Sequence, residues 1–128
     1  MVLGRYQMKR GKRPADDPLP DGQRQDTRKH TRHILRPDSQ AVATYLADPS
    51  NAAWETFASA YRDLLDRRRS KDPDAFDVLV HAATEGDLWI GCSCPTKKNP
   101  DVRHCHTYLA LGYLAEHYEQ LEISWPAV

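Results

Sequence analysis

The chain has 128 residues, of which 40% are apolar and 28% are charged, so one domain with a single hydrophobic core is expected. No stretch approaches the ~20 apolar residues that a membrane-spanning helix needs, and the opening MVLGRYQMKRGKR lacks the apolar run of a secretory signal. We therefore expect a cytoplasmic protein with no membrane contact. Three cysteines cannot all pair within one chain, and Cys92 and Cys94 are too close for a comfortable mutual disulfide, which excludes a disulfide-stabilised secreted scaffold.

Charge divides the chain into two unequal parts. The 18 basic and 18 acidic residues cancel, but residues 1–38 hold ten Lys and Arg against five Asp, a net charge of +5. Residues 39–128 hold eight basic residues against thirteen acidic ones, a net charge of −5. We expect residues 1–38 to form a basic, partly extended segment, and residues 39–128 to form the compact α/β portion of the same single domain.

Two short elements are predicted in the first 47 residues. Val2, Leu3, Tyr6 and Met8 favour one short strand near the start of the chain. A short helix is predicted over residues 40–47, and the Asp-Pro pair that follows ends it.

Apolar stripes at helical spacing predict two further helices. Ser50 or Asn51 can cap the first one, and its stripe has members at i, i+3, i+4, i+7, i+10 and i+11. These members are Trp54, Phe57, Ala58, Tyr61, Leu64 and Leu65. The second helix ends at Gly86. Its stripe consists of Phe76, Leu79, Val80 and Ala83.

The next apolar run, residues 88–91, predicts a buried strand that leads into Cys92. A final helix, which ends near Tyr118, follows it. A strand that is entered from one helix and left into another is the βα unit of an α/β fold. We therefore predict an α/β fold, with a small parallel or mixed sheet flanked by helices.

Chemically reactive side chains concentrate after this strand. All three cysteines and two of the six histidines lie within the fifteen residues from Cys92 to His106. In a parallel sheet, ligands bind where strands end and helices begin, because free N–H groups and the helix dipole point there. Alternation along the strand also places Cys92 and Cys94 on one face. The sequence therefore predicts a functional site at this junction.

The start of the last helix decides which residues join these thiols. Residues 99–101, Asn-Pro-Asp, are typical of a helix start, but the same tripeptide is also a turn signal. In a regular helix, His104 and His106 diverge by ~200°, so only one of them could face an ion. If the helix begins later instead, around Arg103 or His104, the Cys105 thiol lies in the first turn, where the positive pole of the helix lowers a thiol's pKa.

Three hypotheses stay open for this cluster. The leading one is a zinc site formed by Cys92, Cys94, Cys105 and either His104 or His106, since thiolates suit zinc and one imidazole completes a tetrahedron. The second is a thiol-dependent enzyme for a small anionic or nucleotide-like substrate, with Cys105 as the nucleophile and His104 or His106 as its base. The third is an inert, packed cluster.

The segments GCSCPT and HCHTYLAL, preceded by an apolar strand, resemble the C-terminal signature of the uncharacterised family called domain of unknown function 488. In that signature a strand ends in cysteine and a Cys-His-Arg tripeptide opens the last helix. Cys92 or Cys94 matches the first cysteine, and Cys105 with His106 matches the Cys-His pair. Further positions resemble landmarks of the family, namely residues 5–7, Trp54, Phe57 and Tyr61. The resemblance implies a compact α/β domain with a Cys/His site and no established activity.

One position departs from that signature. Thr107 stands where the family has arginine. An anion bound by that arginine would need another partner here, and the candidates are Arg103, Lys97 and Lys98.

The basic first third predicts a different function. Its Lys and Arg residues are interleaved with Tyr6 and His30, a composition that can follow a nucleic-acid backbone or bind a nucleotide. They are Arg5, Lys9, Arg10, Lys12, Arg13, Arg24, Arg28, Lys29, Arg32 and Arg36. An interaction module for nucleic acid or protein is therefore the third candidate function. The alternative is that this segment lies against the acidic remainder of the chain.

Overall fold

Four parallel strands form one sheet in the computed structural model, which describes residues 1–127. The strand order is β2-β3-β1-β4. The strands are β1 (Leu3–Gln7), β2 (Gln23–Asp26), β3 (Leu88–Cys92) and β4 (Ile123–Ser124). With four helices connecting or flanking these strands, the predicted α/β fold is confirmed, and the sheet is parallel throughout.

Helices begin at the caps that the sequence offers. The helices are α1 (Ser39–Ala47), α2 (Asn51–Lys71), α3 (Pro73–Glu85) and α4 (His106–His117). Side-chain oxygens of Asp38, Ser50 and Asp72 accept hydrogen bonds from the first turns of α1, α2 and α3. The predicted bounds of α1, the predicted start of α2 and the predicted end of α3 at Gly86 are confirmed to within one residue. No helix in residues 1–127 is long and apolar enough to cross a membrane.

One face of the sheet packs against the helices and forms the core. Leu3 of β1 and Leu88 and Ile90 of β3 point to that face and are fully or almost fully buried. On the opposite face, the ring of Trp89 lies directly over the backbone of Gly4, where an added Cβ would be 2.4 Å from the ring. The Trp89 indole N–H also donates to the carbonyl of Asp21, in the connection between β1 and β2. The helical face therefore holds the core.

Sequence reasoning missed two strands, β2 and β4. The sequence of β2 is Gln-Arg-Gln-Asp, so it carries no apolar alternation, and it lies at the edge of the sheet, where little of it is buried. Strand β4 has only two residues. No element is predicted in either segment. The basic segment supplies both β1, which lies between β3 and β4, and β2, which lies on the other side of β3.

The helix start predicted at residues 99–101 is wrong, and the turn alternative is confirmed. The buried Asn99 side chain donates to the carbonyl of His104 instead of capping a helix. A single turn of 3-10 helix follows at Val102–His104, and α4 begins at His106 with Cys105 as its N-cap residue. Since His104 precedes α4, the two histidines do not share one regular helix.

Candidate metal centre

Three thiols from two separate segments meet beyond the carboxyl end of β3. Cys92 is the last residue of β3, Cys94 follows it before a cis peptide bond to Pro95, and Cys105 caps α4. Their Sγ atoms all lie within 4.8 Å of one another, and none of them forms a disulfide. The predicted convergence of the cysteines is therefore confirmed, and the cluster can hold a metal ion.

The spacing of the sulfurs is near that of a metal site. In a tetrahedral site with Zn–S bonds of about 2.3 Å, neighbouring sulfurs are about 3.8 Å apart. The sulfurs in the structure are at most 4.8 Å apart. Small rotations about χ1 would bring them to the shorter distance. The backbone already places the three cysteines for shared coordination.

Negative charge in the cluster concentrates on Cys94. Hydrogen bonds from the Cys105 and Cys92 thiols, from the Asn99 amide and the nearby charge of Arg5 hold the pKa of Cys94 far below its usual range. The pKa of Cys105 is raised well above its usual value by its hydrogen bonds to Cys92 and Cys94 and by burial. Of the three thiols, Cys94 is therefore the one whose surroundings favour the thiolate form, although Cys105 lies at the helix start.

For Cys92, opposing effects leave the thiol protonated. The hydrogen bond with Cys105 lowers its pKa, but its own hydrogen bond to Cys94 and its burial outweigh this effect and raise it. One thiolate is thus shared by two thiol donors. A bound cation would replace those two protons.

His106 presents one ring nitrogen to the cluster. Its Nδ1 lies 3.8 Å from Sγ of Cys105, and its Nε2 lies 2.9 Å from the hydroxyl oxygen of Thr27. The Thr27 hydroxyl donates to the carbonyl of Gly91, so it accepts from Nε2–H, and the Nδ1 lone pair is left facing the sulfur. Burial lowers the pKa of His106 to about 4, which keeps the imidazole neutral.

His104 lies apart from the cluster, in an aromatic group. Its ring stacks on Trp54, with centroids 4.9 Å apart, and its Nδ1 lies 3.3 Å from the hydroxyl oxygen of Tyr45. Neither histidine belongs to the group of thiols within mutual ligand distance in residues 1–127. Of the two histidines, His106 is the one with a ring nitrogen near a cysteine sulfur, 3.8 Å from Cys105 Sγ.

Arg5 of β1 supports the cluster from the sheet. Its Nη2 donates to the carbonyl of Cys94 at 2.6 Å, and its Nε donates to the hydroxyl of Thr107 at 2.9 Å. That hydroxyl donates in turn to Sγ of Cys105 at 3.2 Å. Position 107 therefore links a guanidinium from another strand to the thiols.

The other predicted anion ligands lie away from the thiols. Arg103 forms an exposed ion pair with Asp101, with 3.0 Å between Nη2 and Oδ2. Lys97 and Lys98 are exposed in the loop after Cys94. None of the three lines the cavity that opens onto the cluster.

That cavity has a volume of about 330 Å³, and all three cysteines line it. Its other lining residues include an aromatic group and a basic group. Aromatic residues come from α1, α2 and the 3-10 turn, and basic residues come from the loop after β2. These are Tyr45, Trp54, Phe57, His104, Arg28, Lys29 and His30. The thiols are therefore reachable from solvent through a small pocket.

Several partners of the thiols escaped sequence reasoning. Thr27 follows β2, and since that strand carries no sequence signal, its position at the carboxyl edge could not be inferred. Asn99 lies in a tripeptide that is typical of a helix start, which hides its contact with Cys94. Arg5 is one of ten basic residues in its segment, and only the register of β1 against β3 reveals that it reaches Cys94.

The basic segment forms its ion pairs internally. Within residues 1–127, Lys9 and Arg13 pair with Asp17, and Arg28 pairs with Asp26. These contacts lie inside the segment, so they do not attach it to the acidic remainder of the chain. Whether the segment binds nucleic acid stays a prediction.

The chain matches no protein-family model, and comparisons with curated proteins and with solved structures give no match either. Its function has to be inferred from its own geometry.

Proposed function

We propose that the protein binds one Zn²⁺ ion through Cys92, Cys94 and Cys105, with Nδ1 of His106 as the fourth ligand. The observation that carries this proposal is the meeting of three sulfurs, from two chain segments, within 4.8 Å of one another. Soft thiolates with one imidazole are a ligand set that suits zinc.

The geometry of His106 supports its choice over His104. With Zn–N near 2.05 Å and Zn–S near 2.3 Å, a tetrahedral N–S edge is about 3.6 Å long. Nδ1 of His106 lies 3.8 Å from Cys105 Sγ but not within 4.8 Å of all three sulfurs, so the ring would move toward the other two when the ion binds. The contact between Thr27 and Nε2 is the kind of outer hydrogen bond that orients a ligating imidazole. His104 instead uses its Nδ1 toward Tyr45.

The electrostatics of the cluster also support a cation. Three sulfurs in contact share one negative charge, and that charge already attracts two thiol protons, the Asn99 amide and Arg5. A divalent ion would displace the protons and hold all three sulfurs as thiolates. An inert packed cluster has no comparable need for the Thr107, Asn99 and Arg5 contacts around the sulfurs.

A thiol-dependent reaction is the second candidate, and one observation favours it. Cys94 is a half-buried thiolate that lines the cavity, as a nucleophile would. In this candidate the nucleophile is Cys94 and not Cys105, whose thiol is 3% exposed and has a raised pKa.

The relation to domain of unknown function 488 stays a proposal. It is supported by the way the matching cysteines and His106 meet in space. Arg5 reaches position 107 through the Thr107 hydroxyl, so a cation stands beside the place where the family has arginine.

Metal content tests the zinc proposal. The full chain, expressed without added metal and desalted, should carry one equivalent of zinc by plasma mass spectrometry. Cys105→Ser should lose it, and His106→Gln should bind it more weakly, while the matched control His104→Gln should bind it like the wild type. Replacement by Co²⁺ should give the absorption of a tetrahedral thiolate site.

Two other outcomes would overturn it. Metal-free protein that does not take up zinc, with Cys94 alkylated much faster than the other two cysteines, would favour the thiol enzyme. Metal-free protein with slow and uniform alkylation would favour packing alone.

A further inference from the structure

The cavity beside the thiols has two chemically different walls. One wall is aromatic, and the other is basic, while the cysteine cluster forms the floor. Pockets of about 300 Å³ are at the lower end of the range that holds small organic ligands. The volume of about 330 Å³ therefore fits a ligand of one or two rings.

The aromatic wall is organised before any ligand arrives. Trp54 stacks on His104 at 4.9 Å and on Phe57 at 5.2 Å between ring centroids, and it meets Tyr45 edge-on at 5.3 Å. The Tyr45 hydroxyl holds the His104 ring through its Nδ1. These contacts fix the rings in place, so a planar ligand would lose little free energy in ordering them.

The basic wall carries one cation that no carboxylate pairs. The charge of Arg28 is paired, since its Nε and Nη2 donate to the carboxylate of Asp26, which also fixes its guanidinium. Lys29 is exposed and forms no ion pair within residues 1–127. No Asp or Glu lines the cavity, although the chain contains 18 acidic residues. The rim therefore favours an anion.

The floor disfavours a second anionic group in the ligand. A zinc ion bound by three thiolates and a neutral imidazole carries a net charge of −1. Arg5 offsets this charge from the sheet side of the cluster and does not line the cavity. The anionic group of a ligand would therefore lie at the rim, with its apolar body directed inward.

We propose that this cavity binds a small aromatic anion, whose ring packs against the aromatic wall and whose carboxylate or phosphate is held by the charge of Lys29, with Arg28 as a further hydrogen-bond donor. The inference rests on the proposed zinc site only for the nature of the floor. It assigns a ligand class to the pocket, a ring compound with a single anionic group, and it assigns Lys29 a role in binding small molecules.

Calorimetric titration of the full, zinc-loaded chain tests this. The probes are 2-naphthoate, its neutral counterpart 2-naphthamide, acetate, which lacks the ring, and AMP, which carries a phosphate. We expect one saturable site for an aromatic anion, with affinity about tenfold or more above that for the amide or for acetate. Tighter binding of naphthoate assigns a carboxylate at the rim, and tighter binding of AMP assigns a phosphate; either supports the proposal.

Two matched variants localise the anion. Lys29→Glu reverses an exposed charge at the rim, and Lys97→Glu reverses an exposed charge outside the cavity. Lys29→Glu should weaken binding of the aromatic anion about tenfold and leave the amide unchanged, while Lys97→Glu should have no effect. Both variants should keep their zinc, which is measured on the same samples.

Three results would overturn the proposal: neither naphthoate nor AMP binding more tightly than naphthamide, equal behaviour of the two lysine variants, or no saturable binding of either aromatic anion up to about 10 mM. Protein that selects the anion but contains no zinc would contradict the metal site and leave this inference standing. Protein that contains zinc but selects no anion would contradict this inference alone.

Discussion

The strands of the sheet start at one side, the amino edge, and end at the other, the carboxyl edge, and polar side chains have different contacts at these two edges. At the amino edge, the Asp87 carboxylate accepts from the Val2 backbone N–H at 2.9 Å, and the Asp87 carbonyl accepts from the N–H of Gln23. Gly22 has φ of +117°, and an added Cβ there would lie 2.5 Å from the Asp87 carbonyl. These contacts join the starts of neighbouring strands through backbone groups and the Asp87 carboxylate.

At the carboxyl edge, side chains contact one another. Thr27 after β2, Cys92 at the end of β3 and Arg5 within β1 converge on the start of α4, where Cys105 is the N-cap residue and His106 is the first helical residue. The difference follows from connectivity, because every strand of a parallel sheet ends at this edge and the next helix begins there. The amino edge therefore stabilises the fold, and the carboxyl edge brings the three cysteines and His106 together.

Metal removal should give the largest difference between the edges. If zinc binds as proposed, free zinc at about a thousand times Kd adds about 4 kcal/mol to the free energy of unfolding. Urea denaturation with and without a chelator measures this. Cys105→Ser should show no response to the chelator, and a wild-type protein with no response either would contradict the metal site.

Acidification of the metal-free protein should act through the carboxyl edge. The pKa of His106 is about 4 in the folded chain, below the usual value of 6.5, so the unfolded chain binds the extra proton between these pH values. Stability should fall as the pH decreases from 6.5 to 4, with this group contributing up to about 3 kcal/mol. Denaturation at several pH values should show a shallower decline in His106→Gln than in the wild type. Parallel curves would mean that His106 is not held neutral.

Removing the Thr27 hydroxyl should lower zinc affinity more than it lowers the free energy of unfolding. Thr27→Val keeps the shape of a fully buried side chain but leaves Nε2–H of His106 without its acceptor. Outer-shell changes of this kind lower metal affinity about 10–100-fold. Competition with a chromophoric zinc chelator measures the affinity, and Thr44→Val on the exposed side of α1 is the control. Unchanged affinity would show that His106 does not ligate through Nδ1.

The amino edge should respond with stability alone. Asp87→Ala removes one exposed hydrogen bond to Val2 N–H and should cost about 1 kcal/mol of unfolding free energy. Asp87→Asn keeps an acceptor oxygen and should cost less. Zinc content should be unchanged in both variants, and loss of zinc in either would mean that the two edges are coupled.

Strong apolar periodicity made most of the helical layer predictable. Phe57, Tyr61 and Leu65 recur at helical spacing, and the structure buries all three on one face of α2. The apolar run of β3 was equally visible because it is buried. Strand β2 was not visible, since a short polar edge strand is held by its partner's backbone and not by its own side chains.

Part of the site was predictable for a different reason. Cys92, Cys94, Cys105 and His106 lie close in sequence on the two sides of one strand-to-helix junction, so local connectivity brings them together. The choice between His104 and His106 was left open, because it depends on where α4 begins. The buried Asn99 bond to the His104 carbonyl places that start at His106.

By itself, the sequence determined the α/β class, the main helices, the strand that leads into the cysteines and the concentration of thiols and imidazoles after it. These depend on periodicity and on neighbours along the chain. Only the tertiary structure decided that Cys94 carries the negative charge, that Thr27 orients His106 and that Arg5 supports the thiols. The first depends on how the loop between β3 and α4 folds back on itself, and the other two depend on the register of strands distant in sequence, which no local pattern of residues encodes.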